Sequence, residues 1–250
     1  MTAEEGRLVI LSGPSCVGKS PLDKALLTFY PELRQQLRPL VLYNSRDLRP
    51  GEKDGVAYHF RTRGEIEALR VKDNFVVIEV RGDLQALDLD ELASELTKGD
   101  VFFEGNPFVG RLLQTHEKMK SVRRLSVFMA PLSKDEILYL RDPEKKVSLQ
   151  DFVTDVMRRK LFRRTQKQKG ELARADVEEI ERRAGSAFKE LGEAHHFDYV
   201  IVNHDGEDSD NWDAFYYPIG DARKALRAFA ILLKGETPPG VEKWEADLLH

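Results

Sequence analysis

The sequence predicts an α/β protein: a parallel sheet with helices on both faces, a small α+β insertion and a helical lid. Three observations carry this reading. Short, wholly apolar runs alternate with segments of helical spacing along most of the chain, the pattern of strands buried on both faces. The first such run, Leu8 to Leu11, leads through a glycine-bracketed turn into the helical pattern Leu22 to Thr28. From Asp142 to about Arg183 the chain is strongly charged and helical, unlike the rest.

Arg38 to Tyr43 (RPLVLY) reads as a second buried strand, followed by the polar stretch Asn44 to Glu52 and a turn-rich segment to Phe60. Arg63 to Val71 is a short helical pattern. Phe75 to Val80 is a strand, Gly82-Asp83 a turn, and Leu84 to Leu89 a return strand with alternating polarity. Asp90 to Lys98 is an amphipathic helix stopped by Gly99. Val101 to Glu104 is a strand ending in a carboxylate. Asn106 and Pro107 open the next helix as cap and first residue. Leu125 to Met129 is a core strand, and Ser133 with Glu136 has the spacing of a capping box. Phe197 to Val202 is the last core strand and Ala222 to Lys234 the final helix. Residues 235–250, with Pro238-Pro239-Gly240, read as a tail or docking strap.

The turn after the first strand is Gly13-Pro14-Ser15-Cys16-Val17-Gly18-Lys19-Ser20, which has the spacing G-x-x-x-x-G-K-[ST]. Each fixed position has a physical task. Glycines allow backbone conformations in which consecutive N–H groups point at phosphate oxygens. Lys19 would reach the outer phosphates, Ser20 would ligate Mg2+, and the positive end of the following helix favours the anion. The plainer alternative is a tight strand-to-helix turn with a solvated lysine. Cys16 lies where only its backbone need matter, and Pro21 is tolerated in a first helical turn.

With 41% hydrophobic and 33% charged residues, 250 residues suffice for one sizeable domain with insertions. A net charge of −4 makes no global case for nucleic acid. One cysteine excludes an internal disulfide framework and a cysteine-built zinc site. Met1 to Gly6 lacks the pattern of a secretory signal, and no apolar run approaches a membrane span, so a cytoplasmic location is expected. Arg158, Arg159, Lys160, Arg163, Arg164, Lys167 and Lys169 crowd ahead of Gly170. They fit a solvated helical hairpin, a basic lid closing over phosphates, or a nucleic-acid arm, the last disfavoured by scarce aromatic residues.

Together, several segments resemble the guanylate kinase family of P-loop enzymes, which transfer a phosphoryl group from ATP to GMP. LVILSGPSCVGKS is similar to the family's loop, with cysteine at position 16 and proline at 21. Ser45 to Phe60 is similar to T-R-x-x-R-x-G-E-x-x-G-x-x-Y-x-F, and His196 to Asn203 to E-F-D-Y-V-I-V-N. The resemblance implies a three-layer P-loop NTPase fold spanning residues 1–234, with an acceptor-binding insertion at about 40–98, a basic lid at about 142–176 and a tail at 235–250. It implies ATP and Mg2+, with a nucleoside monophosphate, most simply GMP, as acceptor. Gly13 to Ser20 and Asn203 would hold ATP, and Ser20 and Glu104 the metal. Arg46, Arg49 and Tyr58 would hold the acceptor phosphate, a task suited to paired guanidinium groups. Lys19, Arg164 and Arg183 would stabilise the transferring group. Partners are small molecules, without nucleic acid or membrane, and the assembly is a monomer or homodimer.

The base end departs from the family. Gly82-Asp83-Leu84-Gln85-Ala86-Leu87-Asp88 stands where relatives carry a tyrosine-tyrosine-glycine segment, Leu42 near a serine, and Glu104-Gly105-Asn106 in place of D-x-D. Glu79, Asp83 and Gln85 are the candidates left to read a base. Two alternatives stay open: a kinase of this fold acting on another acceptor, such as ribose 1,5-bisphosphate, and a non-catalytic binding module, which the intact glycine loop argues against.

Overall fold

The structure, a computed structural model, describes residues 6–48 and 51–250. In chain order its strands are β1 (Leu8–Ser12), β2 (Arg38–Pro39), β3 (Tyr43–Asn44), β4 (His59–Phe60), β5 (Phe75–Val80), β6 (Asp83–Asp88), β7 (Val101–Gly105), β8 (Arg124–Ala130) and β9 (Tyr199–Val202). The α-helices are α1 (Lys19–Phe29), α2 (Pro31–Arg34), α3 (Arg63–Glu67), α4 (Leu89–Leu96), α5 (Pro107–Thr115), α6 (Lys134–Arg141), α7 (Leu149–Lys169), α8 (Arg174–Leu191) and α9 (Gly220–Leu233).

The core sheet runs β2-β7-β1-β8-β9, all parallel. Alternate β1 residues serve opposite faces, as the two-residue period of a strand requires. Val9 and Leu11 pack with Leu22 and Leu26 of α1 and with Leu226 and Phe229 of α9. Leu8 and Ile10 belong to the core that includes Val109 and Leu113 of α5, Met157 and Leu161 of α7, and Ala184 of α8. Both faces are therefore covered, which is why these strands read as continuous apolar runs.

The second sheet, β4-β3-β6-β5, is mixed and backed by Ile66 of α3. Here the structure corrects one expectation. The run Arg38 to Tyr43 is not one strand: Arg38–Pro39 pairs with β7 at the edge of the core sheet, and Tyr43–Asn44 joins β6 and β4 in the second sheet. Pro39 is tolerated because β2 is an edge strand, and Leu40 N–H still reaches Phe102 O at 2.8 Å. An apolar run carries no mark of where the chain leaves one sheet for another.

Caps fall where the residue types placed them. Asn106 accepts from Phe108 N–H with Pro107 opening α5, and Ser133 with Glu136 forms a reciprocal box on α6. The charged segment forms two long helices packed on each other, and α7 buries Leu149, Val153, Met157, Leu161 and Thr165 along one stripe. Residues 235–250 cross the outer edge of β9: Val200 and Glu242 exchange backbone hydrogen bonds of 2.7 and 2.8 Å, and Trp244 and Leu248 are buried in the core.

Candidate active site

A cleft of about 470 Å3 lies between the C-terminal ends of β1 and β7, the second sheet and the α7–α8 pair. Its floor is the glycine loop. Gly13 (φ 152°) and Gly18 (φ 102°) adopt left-handed backbone, and there is no room for a side chain at either. A Cβ at Gly13 would stand 2.4 Å from Met129 O, and one at Gly18 2.5 Å from Asn203 Nδ2. Cys16 is also left-handed (φ 68°), a costly conformation for a residue with a Cβ. Its side chain is fully buried in the core, and burial pushes the thiol up to about 12, so it stays protonated.

Lys19 is 6% exposed and donates from Nζ to Gly13 O (2.9 Å) and Pro14 O (2.8 Å), folding back over the loop. Burial pulls its pKa below the usual lysine value, against the opposing pull of Glu207 and Glu104. Ser20 Oγ donates to Glu104 Oε1 at 3.1 Å. Desolvation raises the Glu104 pKa while the Lys19 charge resists it. A hydroxyl and a carboxylate side by side next to the loop form a hard-oxygen pair. Among the described residues no group of three or more His, Cys, Asp or Glu could hold a metal by itself.

Arg46, on the wall of the cleft formed by the second sheet and its loops, makes a two-pronged ion pair with Glu52 (2.7 and 2.6 Å), its guanidinium 5.2 Å from the ring centres of Tyr58 and Phe60. Tyr58 lines the same cleft. Arg49, expected beside them, lies outside the described residues. Arg164 of α7 and Arg183 of α8 line the opposite wall. Arg164 donates to Glu207 at 2.9 Å, and Arg183 to Glu179 at 2.6 Å. The neighbouring Arg163 points outward, its side chain 69% exposed. Asn203 is fully buried beneath the loop, donating to Val17 O (2.8 Å) and Asp205 O (2.7 Å).

Sequence reasoning missed several groups. Arg81 (φ 55°) forms a double hydrogen bond with Glu190, whose side chain is 0% exposed and also bonds Ser186 and Asn106. No sequence signal marked this pair, since its partners lie 109 residues apart. Glu207 and Asp208 sit on the loop after β9 and face the basic stripe of α7: Lys160 reaches His204 O at 2.5 Å, and Lys167 reaches Asp208 O at 2.6 Å.

A glycine loop between the central parallel strand and a helix, its lysine buried against an arginine-walled cleft, is the architecture of the P-loop class of phosphate-binding α/β proteins. The guanylate kinase family model matches residues 5–82. The guanylate kinase of Vibrio parahaemolyticus is 32% identical over 203 residues, covering 80% of this chain and 82% of that protein. The guanylate kinase of a Synechococcus strain is 31% identical over 219 residues, covering 86% and 84%. The crystal structure of guanylate kinase from Anaplasma phagocytophilum superposes with a TM-score of 0.53 at 18% identity, covering 96% of this chain and 90% of that one, and so shares the fold. The chain belongs to the guanylate kinase family.

Proposed function

We propose that this protein is an ATP-dependent nucleoside monophosphate kinase that phosphorylates GMP to GDP. The observation that carries the reading is the buried Lys19, cradled by the glycine loop and open to a cleft with Arg46 and Tyr58 on one wall and Arg164 and Arg183 on the other. Phosphoryl transfer needs little covalent chemistry from the protein; positioning and charge stabilisation do most of the work. The backbone N–H groups of Gly13 to Ser20 hold the donor phosphates. Lys19 exchanges its bonds to Gly13 O and Pro14 O for donor phosphate oxygens. Arg46 and Tyr58, with Arg49, hold the acceptor phosphate. No general base is needed, because that phosphate is already ionised at neutral pH.

Arg164 and Arg183 stabilise charge on the transferring group, exchanging Glu207 and Glu179 for phosphate oxygens. Asn203 acts through the loop, fixing the carbonyl of Val17 rather than touching the nucleotide. Ser20 and Glu104 would hold Mg2+, whose chemistry when bound is to neutralise the donor phosphates; two hard ligands suit an ion that keeps phosphate oxygens and waters as its others. We assign residues 1–234 to the kinase unit, with about 40–98 receiving the acceptor, about 142–176 forming the lid, and 235–250 a strap. No helix among the described residues is long and apolar enough to cross a membrane, and we place the protein in the cytoplasm as a monomer or homodimer.

A coupled assay of ADP release, run with ATP, Mg2+ and each of GMP, dGMP, AMP, CMP, UMP and ribose 1,5-bisphosphate, tests this reading. Turnover highest with GMP is expected. Turnover only on another acceptor moves the substrate. Silence on all of them, with ATP still bound, returns the binding-module alternative.

A further inference from the structure

The acceptor side of the cleft holds a side-chain amide with no protein partner, open to the cleft. Gln85 is 7% exposed and lines the cleft, and its side chain makes no hydrogen bond to another described residue. Its amide opens into the cleft, where water or a ligand meets it. Gln85 does not stand alone. On the neighbouring strand its registered partner is Asn44, so both side chains rise from the same face of the sheet. Asn44 Oδ1 accepts from Arg46 N–H at 3.1 Å, which fixes that amide and leaves its Nδ2 hydrogens to the cleft. Asp83, two residues before Gln85 on β6 and therefore on the same face, also lines the cleft. Leu40, Leu42 and Val80 add apolar side chains to this part of an otherwise charged lining.

We infer that Gln85 reads the base edge of the acceptor, with Asn44 as a fixed donor and Asp83 as a fixed acceptor beside it. This rests on the kinase reading above and names the specificity residue of that site. Leu40, Leu42 and Val80 suit the faces of a purine, and the polar row suits its edge. Asn44, its oxygen engaged by Arg46 N–H, offers its Nδ2 donors to the cleft, Asp83 accepts, and Gln85 can do either. Guanine presents the complement: the O6 acceptor beside the N1–H and N2–H donors. Adenine presents a donor at N6 and an acceptor at N1, which leaves Asp83 facing a lone pair. A site that hydrogen-bonds its substrate rejects analogues by leaving buried groups unpaired, so this row discriminates between bases although the residues that do so in relatives are replaced.

The test compares wild type with Gln85→Leu and Gln85→Asn, measuring GMP, IMP and AMP binding by calorimetry and turnover with saturating ATP. Gln85→Leu is expected to weaken GMP binding on the order of tenfold, the loss of one well-made hydrogen bond. It narrows the GMP to AMP ratio and leaves the KM for ATP unchanged. Without nucleotide its Tm is not lowered, because an unpaired amide is exchanged for an apolar side chain of similar size. Gln85→Asn keeps an amide in the row if the leucine variant fails to fold, and is expected to lose less discrimination than a full deletion of the group.

Unchanged GMP affinity in Gln85→Leu overturns the inference. So does an equal loss for GMP, IMP and AMP, which would put the amide on the shared ribose phosphate. Wild type that binds ATP but neither binds nor phosphorylates any of the three overturns the kinase reading and this inference with it.

Discussion

Gly18 shows how much of this protein's function depends on single positions. Its φ of 102° is open to glycine at little cost, and an added Cβ would meet Asn203 Nδ2 at 2.5 Å, the group that ties the loop to the strand end. Gly18→Ala must break that tie or deform the loop, at a cost of about 1–3 kcal/mol for strained backbone. The expected result is a lower Tm and loss of the thermal shift that ATP gives wild type. An alanine variant with a normal ATP shift would contradict this account of the loop. At this scale the phosphate end was legible, because a phosphate loop fixes residue types at fixed spacing: Gly13, Gly18, Lys19 and Ser20 announce themselves. The base end was not. Gln85 is one polar residue in a strand, and only the fold shows that its amide faces a cleft beside Asn44.

Between elements, two networks join parts of the chain that are distant in sequence. Arg81, at the turn between β5 and β6, is tied to the buried Glu190 of α8 and so fixes the insertion against the C-terminal end of that helix. Removing one partner of a buried pair leaves an uncompensated charge. Arg81→Ala is therefore expected to destabilise by about 3–5 kcal/mol, and Arg81→Met with Glu190→Leu to recover much of the loss. Urea denaturation measures both, and additive losses in the double variant would refute the coupling.

His204 links the start of α6 to that of α9, its ring 2.6 Å from Asp221 and 3.0 Å from Glu136. Burial works to lower its pKa, but hydrogen bonds to the two carboxylates outweigh it and raise the value above 6.5. A histidine raised on folding adds stability that is full below its unfolded value and is lost as pH climbs through the folded one. The Tm gap between wild type and His204→Gln should be widest at pH below the ordinary histidine value and shrink as the pH rises above it. A gap that is flat or widens with pH sinks the assignment. Neither network was readable beforehand, since each joins residues far apart in the chain with no periodicity to connect them. The helices themselves were readable from caps and spacing, whereas the Arg38 to Tyr43 run misled because one apolar segment serves two sheets.

For the molecule as a whole, the fold class followed from alternation alone: apolar runs and helical segments in turn build a parallel sheet covered on both sides. The strap at residues 235–250 did not follow, because Pro238 and its neighbours look like a tail until Trp244 is seen in the core. Deleting a buried indole costs about 3–5 kcal/mol. Trp244→Ala should lower stability by that amount in urea while leaving the KM values near those of wild type, since the strap lies away from the cleft. A loss below about 1 kcal/mol would mean that the strap contributes little to the core.

The central claim is that the glycine loop and its lysine move a phosphoryl group onto GMP. The most direct measurement is 31P NMR of ATP, Mg2+ and GMP with wild type beside Lys19→Ala. Growth of the GDP β-phosphate signal with stoichiometric ADP is expected in wild type, slowed at least about a hundredfold in the variant, as for loss of a main charge-stabilising group. ATP consumed without GDP, or GDP formed equally fast by Lys19→Ala, would contradict the claim.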